Sequence, residues 1–430
     1  DRKGCLVMGG KSGRPHYARK IMIACMCIKM GSAGALTVAM GNFVTPIVQD
    51  LNCEVSSLTM FVSIQAISMA LMYTLASRIL MSRKFGRVMG LASVAEVSGL
   101  ALMATYHSPY MFYLSGLITG VAQAFTGYVA IPTVINMWFK KKAGTVLGMV
   151  IAVGSAAGII YNMLSARLIV MFGWRSAYMI LAAIAAVITI PAVFLIIKTP
   201  RELGLSPYGE EDRTGNAERQ SRAGEAESGY GLTLKQAFHS GFFYLAWIAC
   251  ILISYASGVS GYTATYTTME LGQSIAFGSL AGICVNVGTI ISSIVLGRLN
   301  DKLGVRAGLL WGAGTALVGY SIMLLSRTYP ILVLPGAFIV GLGASMYAVQ
   351  CPLLAKKIVG DRHYSQIWSW MMMANSLIGG GLYSSIGMFY DRFGSYKGTF
   401  IMAIALYMGA MVIGMAALCA SGRNKEKEFG

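Results

Sequence analysis

Charged side chains are scarce in this sequence: Asp, Glu, Lys and Arg together make up 12% of its 430 residues. A soluble domain carries roughly 25% charge, so this composition excludes an ordinary soluble enzyme. Histidine is also rare, and neither an HExxH motif, a GxSxG motif nor a pair of carboxylates within an apolar run occurs. The sequence therefore predicts no enzymatic activity and no cofactor.

Cysteine is present but lacks any metal-binding or redox pattern. The eight cysteines include no CxxC pair, lie mostly inside apolar runs and have no histidine at ligand spacing. This pattern indicates small apolar packing residues rather than a zinc or disulfide framework.

Long apolar runs dominate instead, because 56% of the residues are hydrophobic. A helix needs about 20 such residues to cross a hydrocarbon core about 30 Å thick. One of the charge-free runs is long enough for two crossings, hinged at His107-Ser108-Pro109. The runs predict an all-α integral membrane protein with twelve transmembrane helices, at residues 30–49, 55–77, 97–139, 143–166, 176–196, 236–269, 271–297, 307–326, 328–355, 363–390 and 398–422.

The net charge of +17 is distributed by loop. With a cytoplasmic amino terminus, 28 of the 34 Lys and Arg residues fall on the cytoplasmic side. Such an asymmetry follows the positive-inside rule, whereas a nucleic-acid surface would not alternate between loops. We therefore expect a multi-pass plasma-membrane protein in a lipid bilayer with both termini cytoplasmic, no cleavable signal in the basic first 20 residues, and no nucleic-acid partner.

Two similar halves flank a polar segment. Residues 199–238 are rich in Gly, Pro, Ser and mixed charge, which is typical of a flexible linker. "KKKAG" at Lys140 corresponds to "KKIVG" at Lys356, and two further pairs repeat at offsets of 216 to 221 residues. We expect two pseudo-symmetric six-helix bundles with a binding site between them. The predicted organisation is a cytoplasmic segment 1–20, bundles 21–198 and 239–420, the linker 199–238, and a tail 421–430.

Three motifs carry a family resemblance. "GRLNDKLGVR", between predicted spans eight and nine, resembles the hallmark loop of the major facilitator superfamily. The stretch "MWFKKKAGTVLGMVIAVGSAAGIIYNMLSARLIVMFGWRSAY" and the later "PRELGLSPYG" resemble the branch of oxalate/formate antiporters and monocarboxylate transporters. The likeness covers residues 19–420. It implies a monomeric secondary active transporter that moves a small organic solute, with protons or a counter-solute as further partners.

The hallmark loop has a physical interpretation of its own. Gly297 permits close helix approach, Gly304 permits a left-handed turn, and Asp301 can cap the next helix or pair with Arg298 or Arg306. The resemblance implies a gating role for Asp301 and Arg298. The alternative is a loop that only fixes membrane orientation.

Two charged residues fall inside predicted membrane helices, each directly before a charge-free run, and a charge near the membrane midplane costs about 2.5–3.5 kcal/mol on insertion scales. Lys29 lies in the first span and Glu96 in the third, at similar predicted depth. We expect Lys29 to contact substrate and Glu96 to be its structural partner or a proton-coupling group. The alternative for Lys29 is that it extends to the membrane edge.

Two cations of oxalate-carrying relatives are missing, since Ser293 and Met372 occupy the aligned positions. The resemblance therefore points to a monocarboxylate-type organic anion held at Lys29, because a second carboxylate would be buried unpaired. A neutral metabolite, or a transporter-like sensor without flux, remains the alternative. The neutral and aromatic candidates for substrate binding are Asn42, Gln123, Tyr128, Tyr161, Tyr255, Tyr262, Tyr347, Gln350, Trp370 and Asn375.

Overall fold

The computed structural model describes residues 17–32, 40–80, 85–196, 198, 200–209, 231–393 and 395–429. The predicted amino-terminal segment before residue 17 and the middle of the predicted linker, 210–230, lie outside these residues. Within the described part, regular structure is helical, with two isolated β-bridges.

Twelve membrane spans account for most of the helices. Among the described residues, nine segments are long and apolar enough to cross a membrane, and the segment Ala143–Phe194 contains two spans joined at Gly173, whose φ is +76°. Helices in the remaining two spans are Ala18–Ser32 with Met40–Leu51, and Tyr364–Phe393. The spans, numbered in chain order, comprise Ala18–Ser32 with Met40–Leu51 (span 1), Val55–Leu80 (2), Phe85–Met103 (3), Met111–Thr126 with Ala130–Trp138 (4), Ala143–Ile196 divided at Gly173 (5 and 6), Gly241–Val259 with Thr263–Met269 (7), Ile275–Leu303 (8), Val305–Leu325 (9), Val333–Ala344 with Met346–Val359 (10), Tyr364–Phe393 (11) and Lys397–Phe429 (12).

Large apolar side chains cover the outside of the bundle. Val170, Leu91 and Ile331 are among the most exposed, as expected for side chains that face lipid rather than water. Inside, small residues let backbones approach closely: a Cβ at Gly148 would collide with the carbonyl oxygen of Ser293, and one at Gly297 with that of Gly144. Spans 5 and 8, which belong to different halves, therefore touch through their backbones.

Hydrogen bonds between the halves cluster at one end of the bundle. We call this the basic end, because it carries the loops around Lys140, Arg298 and Lys356. There the Lys140 ammonium pairs with Asp361 at 3.3 Å, and the Lys356 ammonium donates to the Asn136 side chain at 2.9 Å. Thr133 also donates to Ser365 at 3.3 Å, across the same boundary. The halves are thus joined at the basic end.

The described ends of the linker are attached to this closure. The Tyr208 backbone N–H donates to the Trp138 carbonyl at 2.8 Å, and that of Leu232 donates to the Val359 carbonyl at 2.9 Å. Trp138 and Val359 end spans 4 and 10, which hold corresponding places in the two halves. A short helix, Leu234–His239, then leads toward span 7 and begins with a capping box between Thr233 and Gln236.

Candidate functional site

A cavity of about 380 Å³ lies between the halves, next to the closed basic end. Spans 1, 2, 4 and 5 line it from the amino-terminal half, and spans 8 and 10 line it from the carboxy-terminal half. Its size falls in the range of small-molecule sites. The polar and aromatic lining residues are Lys29, Ser32, Gln65, Gln123, Tyr128, Ser155, Asn286, Thr289, Ser345 and Tyr347.

Lys29 is the charged side chain among the described residues that line the cavity. Its ammonium lies over the Tyr128 ring, 4.6 Å from the ring centroid. Gly154 leaves the space for the lysine stem, since a Cβ there would lie 2.5 Å from Lys29 Cγ. The cation–π contact thus holds the Lys29 ammonium at the cavity wall, and Gly154 leaves room for the rest of the side chain.

Two tyrosines from opposite halves meet at the cavity surface. The rings of Tyr128 and Tyr347 have centroids 5.3 Å apart, and the Tyr128 carbonyl accepts a hydrogen bond from Trp368 Nε1 at 3.1 Å. Span 4 continues from Tyr128 through Thr133 toward Lys140 at the basic end. The tyrosine pair therefore lies between the cavity and the bonds that join the two halves at the basic end.

Glu96 lies behind the cavity wall and is 4% exposed. Its Oε1 accepts from Ser32 Oγ at 2.6 Å, and its Oε2 accepts from Thr126 Oγ1 at 3.0 Å. The Gln123 side chain also bonds to it, and Lys29 acts on it electrostatically. The structure thus brings Lys29, Glu96, Gln123 and Tyr128 into one connected group, with Tyr347 opposite.

The other predicted substrate-binding residues lie away from this cavity. Asn42 donates to the Asn162 carbonyl and Ser165, while Gln350 accepts from Asn300 at 2.8 Å and donates to the Val305 carbonyl. Each therefore ties helices together. The remaining members are packed among helices: Tyr161, Tyr255 and Asn375 are buried, the Tyr262 ring contacts Tyr396, and the Trp370 ring contacts Phe238.

Several cavity residues were missed by the sequence analysis. Ser32 follows Lys29 by three residues and so shares its helix face, a spacing that identifies it in retrospect. Asn286 is an amide in an otherwise apolar stretch of span 8, which is also a detectable signal. Nothing in the sequence distinguishes Gln65, Thr289, Ser155 and Ser345, because hydroxyls and amides in membrane spans more often bond to a neighbouring helix.

The hallmark loop differs from its expected arrangement. Asp301 was expected to cap the following helix or pair with Arg298 or Arg306. Its carboxylate instead accepts from the backbone N–H groups of Gly144 and Thr145, at 2.9 and 2.6 Å. Asp301 therefore caps the start of span 5, in the other half. Arg298 is exposed, and the next helix begins after Gly304, whose φ is +85°.

A family model matches most of this chain, and a known relative matches part of it. The model of the Major Facilitator Superfamily matches residues 22–381 and 270–428. An MFS-type transporter pytF from Aspergillus terreus (strain NIH 2624 / FGSC A1156) is 26% identical over 198 residues, which are 45% of this chain and 59% of that protein. The aligned part thus spans less than two thirds of that relative.

Solved structures share the fold at low sequence identity. The proton:xylose symporter XylE, bound to 6-bromo-6-deoxy-D-glucose, superposes with a TM-score of 0.71 at 14% identity, covering 94% of both chains. A bacterial homologue of the iron transporter ferroportin in an outward-facing state gives a TM-score of 0.70 at 13% identity, covering 94% of this chain and 99% of that one. With its twelve spans in two halves around a shared cavity, this chain belongs to the Major Facilitator Superfamily of membrane transporters.

Proposed function

We propose that this transporter moves a small organic monoanion across the membrane, with Lys29 as the charge contact in the cavity. The observation that carries the proposal is the lining itself: one ammonium among neutral amides and hydroxyls, within the described residues. One ammonium neutralises one carboxylate, whereas the second carboxylate of a dianion would be desolvated without a partner.

The rest of the cavity suits the organic part of such a solute. The rings of Tyr128 and Tyr347 offer apolar faces, and Gln65, Gln123 and Asn286 offer amide groups. Apolar walls with a few placed polar groups orient small molecules in binding sites. The volume of about 380 Å³ suits a solute of few heavy atoms.

The position of the bonds between the halves, at the basic end, suits a transporter that works by alternating access. The cavity is lined by both halves, and the bonds between the halves at the basic end block one route to it. Breaking those bonds and closing the opposite end would expose the cavity to the other side of the membrane. We place the basic end, both termini and the linker in the cytoplasm, because the positive-inside rule favours that orientation.

A thermal-shift screen of the purified protein tests the substrate class. The panel contains pyruvate and benzoate as monoanions, succinate as a dianion, and glucose as a neutral solute. We expect the monoanions to stabilise the wild type, and Lys29→Gln to lose that response. Lys20→Gln is the matched control, because Lys20 lies on the same helix and also contacts a tyrosine ring, that of Tyr17, but lies outside the cavity.

A neutral metabolite is the second candidate, favoured by the number of neutral polar groups in the lining. Stabilisation by glucose that persists in Lys29→Gln would replace the monoanion with this candidate. Binding without flux in reconstituted vesicles would instead identify a transporter-like sensor.

A further inference from the structure

Two amide groups of the cavity lining have their nitrogens bonded to the protein. Gln65 Nε2 donates to Thr119 Oγ1 at 3.2 Å, and the hydrogen of that hydroxyl is used on the Ser115 carbonyl at 2.7 Å. Asn286 Nδ2 donates to the Gly282 carbonyl at 3.0 Å. Both partners can only accept, so they identify the nitrogen of each amide. Within the described residues, each amide therefore keeps its carbonyl oxygen and one N–H for a ligand.

Two hydroxyl groups in the same lining have already used their hydrogens. Thr289 Oγ1 donates to the Val285 carbonyl at 2.9 Å. The Ser345 hydroxyl donates to Ser292 Oγ at 2.6 Å, because the Ser292 hydrogen is directed to the Leu342 carbonyl. Both hydroxyls can therefore only accept from a ligand.

The neutral part of the lining is thus rich in acceptors. A solute with a carboxylate alone displaces water from these acceptors without replacing its hydrogen bonds, which costs affinity. A solute that also carries hydroxyl groups replaces those bonds. A hydroxyl group both donates to an amide oxygen and accepts from the remaining amide N–H, so it matches the free part of each amide.

An ammonium group on the solute fits this lining less well than a hydroxyl group. Lys29 already places one positive charge at the cavity, and like charges repel strongly where water is displaced. Glu96, the carboxylate behind the wall, is 4% exposed and bonds to Ser32 and Thr126. The acceptors in the described lining are neutral, so they suit neutral donors.

The acceptors lie on both sides of the cavity. Gln65 belongs to span 2 in one half, and Asn286 belongs to span 8 in the other. Thr289 follows Asn286 by three residues and so shares its helix face. Donors are therefore needed at more than one position along the solute, as in a polyhydroxylated chain.

We propose that the transported monoanion is a polyhydroxylated monocarboxylate of the aldonic-acid class, with its hydroxyl groups held by Gln65 and Asn286. The position of its carboxylate at Lys29 rests on the proposed function, whereas the preference for hydroxyl groups rests on the bonding of the two amides. Lys29 then selects the charge of the solute, and the amides select its hydroxyl groups.

Calorimetric titration of the purified full chain with propionate, lactate, glycerate and gluconate tests the preference. The first three acids share one carbon skeleton and differ by successive hydroxyl groups, and gluconate extends the series. We expect affinity to rise along the series, by roughly twofold to tenfold for each hydroxyl group that finds a partner. Equal affinities, or tightest binding of propionate, would overturn the preference and leave the monoanion proposal standing.

Gln65→Met and Asn286→Leu remove the amides while keeping the side chains close to their original size. We expect each variant to narrow the difference in affinity between gluconate and propionate by roughly twofold to tenfold. Lys29→Gln should instead weaken both acids alike, because it removes the carboxylate contact. A difference as large in both amide variants as in the wild type would exclude the amides as hydroxyl contacts. The ligand series needs no variant, so it decides the preference even if a variant misfolds.

Serine and sorbitol separate the remaining outcomes. Serine is glycerate with an ammonium group in place of one hydroxyl group, and tighter binding of serine than of glycerate would overturn the proposed class. Sorbitol has hydroxyl groups like those of gluconate but no carboxylate. Binding of sorbitol, with gluconate binding that survives in Lys29→Gln, would overturn the carboxylate contact and the proposed function with it. The two amides would then stand as contacts for a neutral polyol.

Discussion

At the scale of single residues, Tyr128 connects the charge, the cavity and the interface between the halves. Its ring contacts the Lys29 ammonium and the Tyr347 ring, and its carbonyl accepts from Trp368. The ring therefore orients the only charged group that the described cavity lining presents. Loss of the ring is expected to matter more than loss of its hydroxyl.

We expect Tyr128→Leu to weaken anion binding and Tyr128→Phe to leave it close to wild type. A cation–π contact contributes about 0.5–2 kcal/mol, so the expected loss is roughly twofold to thirtyfold in affinity. Calorimetric titration of both variants with the same monoanion measures it. Equal losses in the two variants would show that the hydroxyl, rather than the ring, is the important group.

Asp361 makes the closure at the basic end sensitive to acid. Burial opposes the charge of Asp361, but the ammonium groups of Lys356 and Lys140, each 3.3 Å away, outweigh it and lower the pKa of Asp361 below its ordinary value. A lowered carboxyl pKa stabilises the closed arrangement at pH values above the ordinary pKa of an aspartate. That contribution is lost as the pH falls through the lowered pKa.

We therefore expect Asp361→Asn to raise the open population of the basic end at neutral pH and to remove its acid sensitivity. Asp361 is 41% exposed, so solvent screening limits the effect to about 1 kcal/mol, or roughly fivefold. Thiol labelling of a cysteine at the buried position Ser365, in a cysteine-free background, measures opening against pH. Because the thiolate fraction itself falls with pH, each rate is divided by that of an exposed cysteine at the same pH. A normalised wild-type rate that does not rise on acidification would contradict this prediction.

Part of the site was predictable from the sequence, because the sequence shows both the type of each side chain and its depth along a membrane helix. Lys29 and Glu96 stand out as charges at similar depth in apolar spans, and both belong to the observed group. Tyr161 and Gln350 were equally polar candidates at plausible depths. They lie elsewhere because the rotation of a helix about its axis decides which side chains reach the cavity, and a uniformly apolar span does not encode that rotation.

At the scale of helices, Asp301 stabilises the closed basic end by capping a helix of the opposite half. An acidic side chain at a helix amino terminus both accepts backbone N–H bonds and complements the helix dipole. Because spans 5 and 8 belong to different halves, this cap is broken whenever the halves separate at the basic end. We therefore propose that it favours one state of the transport cycle.

We expect Asp301→Asn to insert normally but to transport more slowly, with the basic end open more often. Asparagine keeps one acceptor oxygen but loses the charge that complements the helix dipole, a contribution of about 0.3–1 kcal/mol, so the closed-to-open ratio should fall by roughly twofold to fivefold. The same Ser365 cysteine reports the ratio, and vesicle uptake at matched expression reports the rate. Unchanged uptake would make this loop an orientation signal only.

Gly297 is the second residue that favours contact between spans 5 and 8, because it lets their backbones approach closely. A valine there would collide with the Gly144 backbone of span 5, so Gly297→Val should prevent closure of the basic end. Gly314→Val is the matched control, because Gly314 is also a glycine within a membrane helix but has open space beside it. We expect strong labelling at Ser365 in the first variant and wild-type labelling in the second. Similar labelling in the two variants would show that the backbone contact at Gly297 does not stabilise the closed basic end.

Helix positions were predictable from apolar runs, whereas helix partners were not. The run at 97–139 predicted two crossings, and two spans are observed at Phe85–Met103 and Met111–Trp138, so the first begins before the predicted run. The cap from Asp301 to span 5 was missed because sequence proximity suggests the next helix. Contacts between halves depend on how the bundles are arranged, and no local pattern records that arrangement.

At the scale of the whole molecule, the repeated halves are matched in detail. Asp50, at the end of the first span, bonds to Arg175 at 2.6 Å and to Trp174 at the start of span 6. Glu270 accepts from Ser395 and the Tyr396 backbone at the start of span 12. These ties lie within each half and away from the basic end. Each bundle is thereby held together as a unit while the bonds between the bundles can exchange.

We propose that two such units enclose a cavity that carries an organic monoanion at Lys29. Uptake of labelled pyruvate or benzoate into vesicles containing wild type, Lys29→Arg or Lys29→Gln tests it most directly, with glucose as the neutral comparison. We expect uptake of a monoanion by the wild type, partial retention in Lys29→Arg, loss in Lys29→Gln, and none for glucose. Monoanion uptake that is undiminished in Lys29→Gln, or uptake of glucose alone, would contradict the account.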